Sequence, residues 1–240
     1  MKFKSEIRDG KINVLLEKVQ RKSYGQYLSK IVLSRVRGFT EQLVTFDFPV
    51  TAIVGPNGGG KTTILGAAGC AYFDVRPRQF FAKSGFLDDS MLDWKIEYEI
   101  IDRDTNKRES IRRTATFRSY KWYRDALKRP VVVFGVSKTV PASERVEFKK
   151  LASNNFTVEP KQIEQLEASV HSAVAKILGK DISEYTHIKV DKKGRVSLLA
   201  GKTDNGTQYS EFHFGAGESS IIRMVMKIES LPDNLLILIE

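Results

Sequence analysis

Nine residues, Gly55-Pro56-Asn57-Gly58-Gly59-Gly60-Lys61-Thr62-Thr63, constrain this chain more than any others. They fit Gly-x-x-x-x-Gly-Lys-[Ser/Thr], the phosphate-cradling P-loop. Glycines at this spacing let the backbone curl until successive N–H groups point inward at phosphate oxygens. Lys61 brings a cation for the β- and γ-phosphates, and the Thr62 hydroxyl is placed to ligate Mg²⁺. Such a loop must leave a buried strand and enter a helix whose N-terminus carries partial positive charge. The short apolar run Thr51-Ala52-Ile53-Val54 is the expected strand, and Thr63-Ile64-Leu65-Gly66-Ala67-Ala68 begins the expected helix. The candidate nucleotide site is therefore Gly55, Pro56, Asn57, Gly58, Gly59, Gly60, Lys61, Thr62 and Thr63, with a nucleoside triphosphate and Mg²⁺ as its ligands.

Composition bounds the rest. The chain has 240 residues, 41% of them hydrophobic, enough to bury a core in one large or two small domains. Its single cysteine, Cys70, excludes an internal disulfide and suits a reducing compartment. The first ten residues mix acidic and basic side chains and lack the apolar stretch of a signal peptide. No run reaches the roughly 18 apolar residues needed to span a bilayer. A cytoplasmic protein without a membrane partner is expected. The net charge of +10 is compatible with an anionic partner and equally with a solvated basic surface.

Taken in order, residues 1–27 form an extension. Ile12, Leu15, Leu16 and Val19 fall at helical spacing and predict a short amphipathic helix over 10–21, docked on the body of the protein or on a partner. Residues 28–36 read as a strand. Val44, Phe46, Phe48 and Val50 alternate with polar residues and read as its antiparallel neighbour. Trp94, Ile96, Tyr98 and Ile100 alternate in the same way. A turn at 102–107 leads to a partner strand near 108–117. Val131-Val132-Val133-Phe134 is a continuous apolar run, read as a buried parallel strand. Pro160, the stripe Ile163, Leu166, Val170, Val174 and Ile177, and Gly179 predict one helix over 160–178. A hairpin is expected from Tyr185 to Leu199, turning at Lys192-Lys193-Gly194.

A second glycine-rich segment, Phe214-Gly215-Ala216-Gly217-Glu218, precedes a helical stretch and makes another candidate anion site. The apolar run Leu235-Leu236-Ile237-Leu238-Ile239 then ends in Glu240. That describes a strand delivering a carboxylate to its C-terminal edge, where P-loop folds hold the metal.

The order of strand pair, P-loop, central insertion, glycine-glutamate segment and acidic strand resembles the head of ABC-type ATPases. Within these it resembles the RecF, SMC and overcoming-lysogenisation-defect (OLD) group. Leu33-Ser34-Arg35-Val36-Arg37-Gly38-Phe39 is similar to that group's opening strand, and residues 214–218 stand in the place of the Leu-Ser-Gly-Gly-Gln signature. The resemblance covers residues 28–72 and 212–240. It implies an α/β P-loop NTPase with an antiparallel β subdomain and a mostly parallel core sheet. The P-loop lobe would span about 28–135, a helical and hairpin insertion about 136–210, and the signature and acidic strand 211–240. It also implies that two heads pair head to tail, with ATP between the P-loop of one and Gly215, Ala216, Gly217 and Glu218 of the other. Lys61 would be catalytic, and Arg37 would touch the nucleotide from the first strand. Glu240 would be either the Mg²⁺ ligand, beside Thr62, or the catalytic base. The signature serine is replaced by Gly215, which leaves only backbone donors there. The family's sequence continues past the acidic strand, so further sequence or a partner is expected to complete the sheet.

With no sustained heptads between P-loop and signature, a long-armed DNA tether is not expected. A compact head is, one that gates or scaffolds an effector protein such as a nuclease in bacterial anti-phage defence. Alternatives are a DNA-repair ATPase of the RecF or SMC kind, a non-hydrolysing subunit holding ATP as structural glue, and a small-molecule kinase or GTPase. The basic and aromatic residues of 112–129 fit a nucleic-acid surface, or a strand edge with core aromatics and a solvated face. Gln79 stands where the family places its lid glutamine.

Overall fold

Apolar alternation builds the sheet of the first unit. The computed structural model describes residues 6–84, 91–135, 140–146, 148, 151, 158–179, 182–190 and 196–240. Two units emerge, one of residues 1–133 with 234–238 and 240, the other of 134–233 with 239.

In the first unit, strands Gln26–Val36 (β1), Phe39–Thr45 (β2), Trp94–Asp102 (β3), Ile111–Arg118 (β4) and Lys121–Arg124 (β5) form a sheet in the order β2-β1-β3-β4-β5. Every pairing in it is antiparallel. Trp94, Ile96, Tyr98 and Ile100 all point into the core, as their period predicts. The buried Asp102 carboxylate closes the following turn by accepting the N–H groups of Asp104 and Thr105, at 3.1 and 3.0 Å. Beneath this sheet lies helix Lys61–Cys70 (α2). Its run of small residues, Gly66 to Cys70, is buried. A Cβ on Gly69 would sit 3.0 Å from Leu238 and 3.1 Å from Val75, so the missing side chain lets helix and strand approach closely. Val131–Phe134 (β6) pairs with Leu236–Ile239 (β11) in a two-stranded sheet.

The second unit carries an antiparallel sheet ordered β10-β9-β8-β7, made from Ile163–Gln165 (β7), Ile182–Lys189 (β8), Ser197–Thr203 (β9) and Gln208–Ser210 (β10). Helices Ala168–Leu178 (α3) and Ala216–Glu229 (α4) share a core in which Val170, Val174, Tyr185, Leu199, Phe214 and Ile222 meet.

Several expectations are corrected. Residues 51–54 form no strand, and Val54 is 91% exposed. A four-residue apolar run needs neighbours to supply its ladder, and among the described residues none pairs with it. The antiparallel neighbour of β1 ends at Thr45, not Val50, because beyond Phe46 the chain turns away through Asp47 and Pro49. The large described sheets are antiparallel, so a mostly parallel sheet is not what they form. The helix expected over 160–178 is split. Residues 160–162 make a single 3₁₀ turn, closed by a reciprocal cap between Glu159 and Gln162. Ile163 to Gln165 then pair with β8 as an edge strand, and Ile163 faces solvent. Only 168–178 is α-helical, and it stops at Gly179 (φ 60°) as expected. The N-terminal helix runs Glu6–Gln20 (α1), but Ile12 and Leu16 stay exposed and only Leu15 and Val19 are half-buried, so it is not docked by a full apolar face. The turn proposed at 192–194 lies outside the described residues. No helix among the described residues is long and apolar enough to cross a membrane.

Candidate nucleotide-binding site

The P-loop lies open at the start of α2. Gly55 to Gly59 are exposed, and Gly60 and Lys61 half-exposed. Gly58 and Gly60 adopt φ of 76° and 86°, a left-handed conformation that side chains resist. At Gly60 the constraint is double, since a Cβ would come within 2.5 Å of the Phe39 ring. The Gly59 N–H bonds to the Pro56 carbonyl at 3.0 Å and folds the loop on itself. The N–H groups of Asn57, Gly58 and Gly60 bond to no backbone carbonyl among the described residues. Lys61 reaches back over the loop, and its Nζ donates to the carbonyls of Gly55 (2.9 Å) and Pro56 (2.8 Å).

Beside it, the Thr62 hydroxyl donates to Glu240 Oε1 at 2.7 Å. The two residues are 178 positions apart in sequence. They meet because β11 packs Leu238 against Gly69 of the same helix that begins with Lys61 and Thr62. Arg129 fixes the approach to β11 by donating to the carbonyls of Asn234 (3.0 Å) and Leu235 (3.2 Å). Mg²⁺ with bonds of ~2.0–2.1 Å has octahedral edges of about 2.8–3.0 Å. A hydroxyl and a carboxylate oxygen 2.7 Å apart are thus spaced to share one such ion, and the donor set fits the metal. The same donors stand where exposed glycine N–H groups and a lysine would meet phosphates, so the loop also fits ATP.

Arg37, expected to touch nucleotide, has internal partners. Its Nη1 donates to Thr63 Oγ1 at 3.1 Å, its Nη2 to the Phe80 carbonyl at 2.9 Å, and its guanidinium lies 5.3 Å from the Phe81 ring centroid. It therefore braces the first turn of α2. Thr63 is buried against it. Gln79 lies in a 3₁₀ turn, exposed.

In the second unit, Gly215 is the N-cap of α4, so Ala216, Gly217 and Glu218 form its first turn. The first three N–H groups of a helix lack intrahelical partners. Gly215 and Gly217 are exposed, and space around Gly217 is open. Glu218 is different, for its side chain belongs to the interior. It is buried and accepts the hydroxyl protons of Tyr185 (3.1 Å) and Tyr209 (3.3 Å). Burial first, and the Glu218 charge second, raise the Tyr209 phenol to about 12 and the Tyr185 phenol further still. Both tyrosines stay neutral and keep donating.

A residue that sequence reasoning missed anchors this turn. Glu211 has a fully buried carboxylate. It receives Arg223 Nε (3.0 Å) and Nη2, Ser219 Oγ, Arg145 Nη1 (3.2 Å) and the Leu199 N–H (3.0 Å). Burial alone would raise its pKa, but the bonds from Arg223 and Ser219 win and hold it below the ordinary value. Ser219 and Arg223 lie one turn apart on α4, so this cluster fixes the orientation of the whole helix. The only trace in sequence is an acid set in the aromatic run Tyr209, Phe212 and Phe214.

The 112–129 stretch also divides on inspection. Phe117 and Trp122 belong to the core. Arg124 Nη1 donates to the carbonyls of Cys70 (3.3 Å), Tyr72 (3.2 Å) and Val75 (2.8 Å), covering the C-terminal end of α2. Arg113 pairs with Asp125 at 3.1 Å. Arg112, Arg118, Tyr120, Lys121, Tyr123 and Lys128 remain exposed.

A family profile of the AAA domain matches residues 30–213. No curated protein matches the chain. The matched span includes the P-loop and most of the first unit, while the 214–218 turn and Glu240 lie outside it. An open glycine loop with its lysine, a neighbouring threonine and carboxylate, and a match over more than half the sequence agree. The chain belongs to the AAA-domain family of P-loop ATPases.

Proposed function

We propose that this chain binds and hydrolyses Mg²⁺-ATP, that two copies pair head to tail around the nucleotide, and that pairing gates a bound effector protein. The observation carrying the reading is the bond between Thr62 and Glu240. An acid held on the metal-ligating hydroxyl stands on the metal side of the site, which favours Glu240 as a Mg²⁺ ligand over a catalytic base. When bound, Mg²⁺ neutralises charge on the phosphates as they react. The loop N–H groups orient the β- and γ-phosphates, and Lys61 exchanges the Gly55 and Pro56 carbonyls for a phosphate oxygen. Gly215, Ala216 and Gly217 offer backbone donors at a helix N-terminus to the nucleotide of a facing copy. Because that contact depends on the γ-phosphate, hydrolysis releases it. An effector such as a nuclease, and a role in defence against phage, follow by analogy with compact heads of this kind.

Light scattering with and without Mg²⁺-ATP tests the pairing. The parent chain should double in mass only with ATP. Gly217→Asp, placed in open space, should bind ATP normally, remain single and lose turnover about a hundredfold, because its carboxylate repels the facing nucleotide's phosphates from the backbone donors. A Gly217→Asp variant that pairs and hydrolyses like the parent would show that the 215–217 turn plays no part.

A further inference from the structure

Beside the turn between β4 and β5 lies a cleft of about 370 Å³, lined by Arg78, Phe81, Lys83, Phe117, Tyr120 and Trp122 among others. Its floor is aromatic. Phe81 and Phe117 stand 5.5 and 5.4 Å from Trp122, ring centre to ring centre. Its rim is cationic, and Lys83 Nζ lies over two of the rings, 5.9 Å from Phe117 and 5.4 Å from Tyr120. Among the described residues no carboxylate lines it.

The turn itself is unusual. Arg118 pairs with Lys121, which leaves Ser119 and Tyr120 as a two-residue loop. Both have positive φ, 49° and 58°. Hairpins of this shape favour Asn-Gly, since left-handed backbone is unfavourable for a bulky side chain. A tyrosine kept there, 52% exposed and facing a cleft, is strain of the kind that accompanies binding sites. The exposed cations Arg112, Arg118 and Lys121 flank the same hairpin.

We propose that this cleft seats one base of a single-stranded nucleic acid, with Tyr120 as the stacking ring. The volume is at the small end of ligand pockets and suits one flat ring. Tyr120 and the half-buried Trp122 offer ring faces to a base, and the cations take the phosphates on either side. Lys83 leaves its ring contacts for phosphate when the base enters. None of its lining residues belongs to the P-loop, so the proposal does not depend on the nucleotide reading.

The test uses the full chain and fluorescence anisotropy with a labelled DNA strand of roughly 12 nucleotides. Probes are the single strand, its duplex, and an abasic strand of equal charge. Variants are Tyr120→Gly, Tyr120→Phe, Lys83→Ala and Lys61→Ala. The parent should bind the single strand about tenfold more tightly than the abasic strand, the size of one stacked base. Tyr120→Gly should lose that preference and melt at or above the parent's temperature, because glycine accepts the turn. Tyr120→Phe should keep the preference. Lys83→Ala should weaken binding and flatten its salt dependence. Lys61→Ala should bind the strand as the parent does. Equal affinity for abasic and normal strands, or tighter binding of the duplex, would overturn the proposal. So would an unchanged preference in Tyr120→Gly, or no binding to the parent. Loss of strand binding in Lys61→Ala would make the P-loop the seat and overturn it too.

Discussion

Single residues here do two kinds of work that composition does not separate. Glu218 and Glu211 are both acids beside the same glycine turn, and both are buried. The glycine pattern draws attention to Glu218, yet its carboxylate is held by two tyrosines and serves the fold. Glu211, outside any motif, organises Arg223, Ser219 and Arg145. Its pKa is lower in the folded chain than its ordinary 4.5. The charged form therefore stabilises the fold fully above that ordinary value. The contribution is lost as pH falls through the lower, folded value. Glu211→Gln should cost about 3 kcal/mol at neutral pH, because it leaves Arg223 without its charge partner. Urea unfolding across pH should show the gap between variant and parent closing below about pH 4. A gap independent of pH would mean the carboxylate's charge is not what holds the helix.

Among elements, α2 is the best account of how fold places site. Its first turn carries Lys61 and Thr62, its buried side of small residues admits β11, and its last carbonyl, of Cys70, is covered by Arg124. Gly69→Val should therefore displace Leu238 and with it Glu240. Overpacking of this kind costs about 1–3 kcal/mol. ATP affinity measured by calorimetry should weaken with it, although the change lies far from the loop in sequence. Unchanged affinity would mean that β11 is not held through this contact. These elements differ in how legible they are. Strand β3 could be read from Trp94, Ile96, Tyr98 and Ile100, because alternation is a local property of a half-buried strand. The P-loop could be read because backbone sterics allow few other sequences. The region 160–178 could not. Ile163 and Leu166 fit a helical stripe, but pairing with β8 captures Ile163 first, and that pairing is tertiary. Residues 51–54 misled for the converse reason, since an apolar run shows an appetite for burial and not whether neighbours satisfy it. Arg124 and Arg129 looked like surface cations because the carbonyls they bind lie about 50 and 105 positions away.

For the whole molecule, the two units present separate chemistries. One holds the glycine loop, Lys61, Thr62 and Glu240, and the other holds an exposed helix N-terminus locked by Glu211 and Glu218. The pairing proposed above brings these two chemistries to one nucleotide. All of this depends on one claim, that Thr62 and Glu240 together hold the metal of a bound nucleotide. The most direct test is calorimetric titration of ATP at rising Mg²⁺, with the parent, Thr62→Ala and Glu240→Gln. The account predicts that the parent's affinity rises with Mg²⁺, and that either variant flattens this rise while binding metal-free ATP as the parent does. If Glu240→Gln keeps the parent's full Mg²⁺ dependence, the 2.7 Å bond to Thr62 is a local contact and Glu240 is not a ligand of the metal.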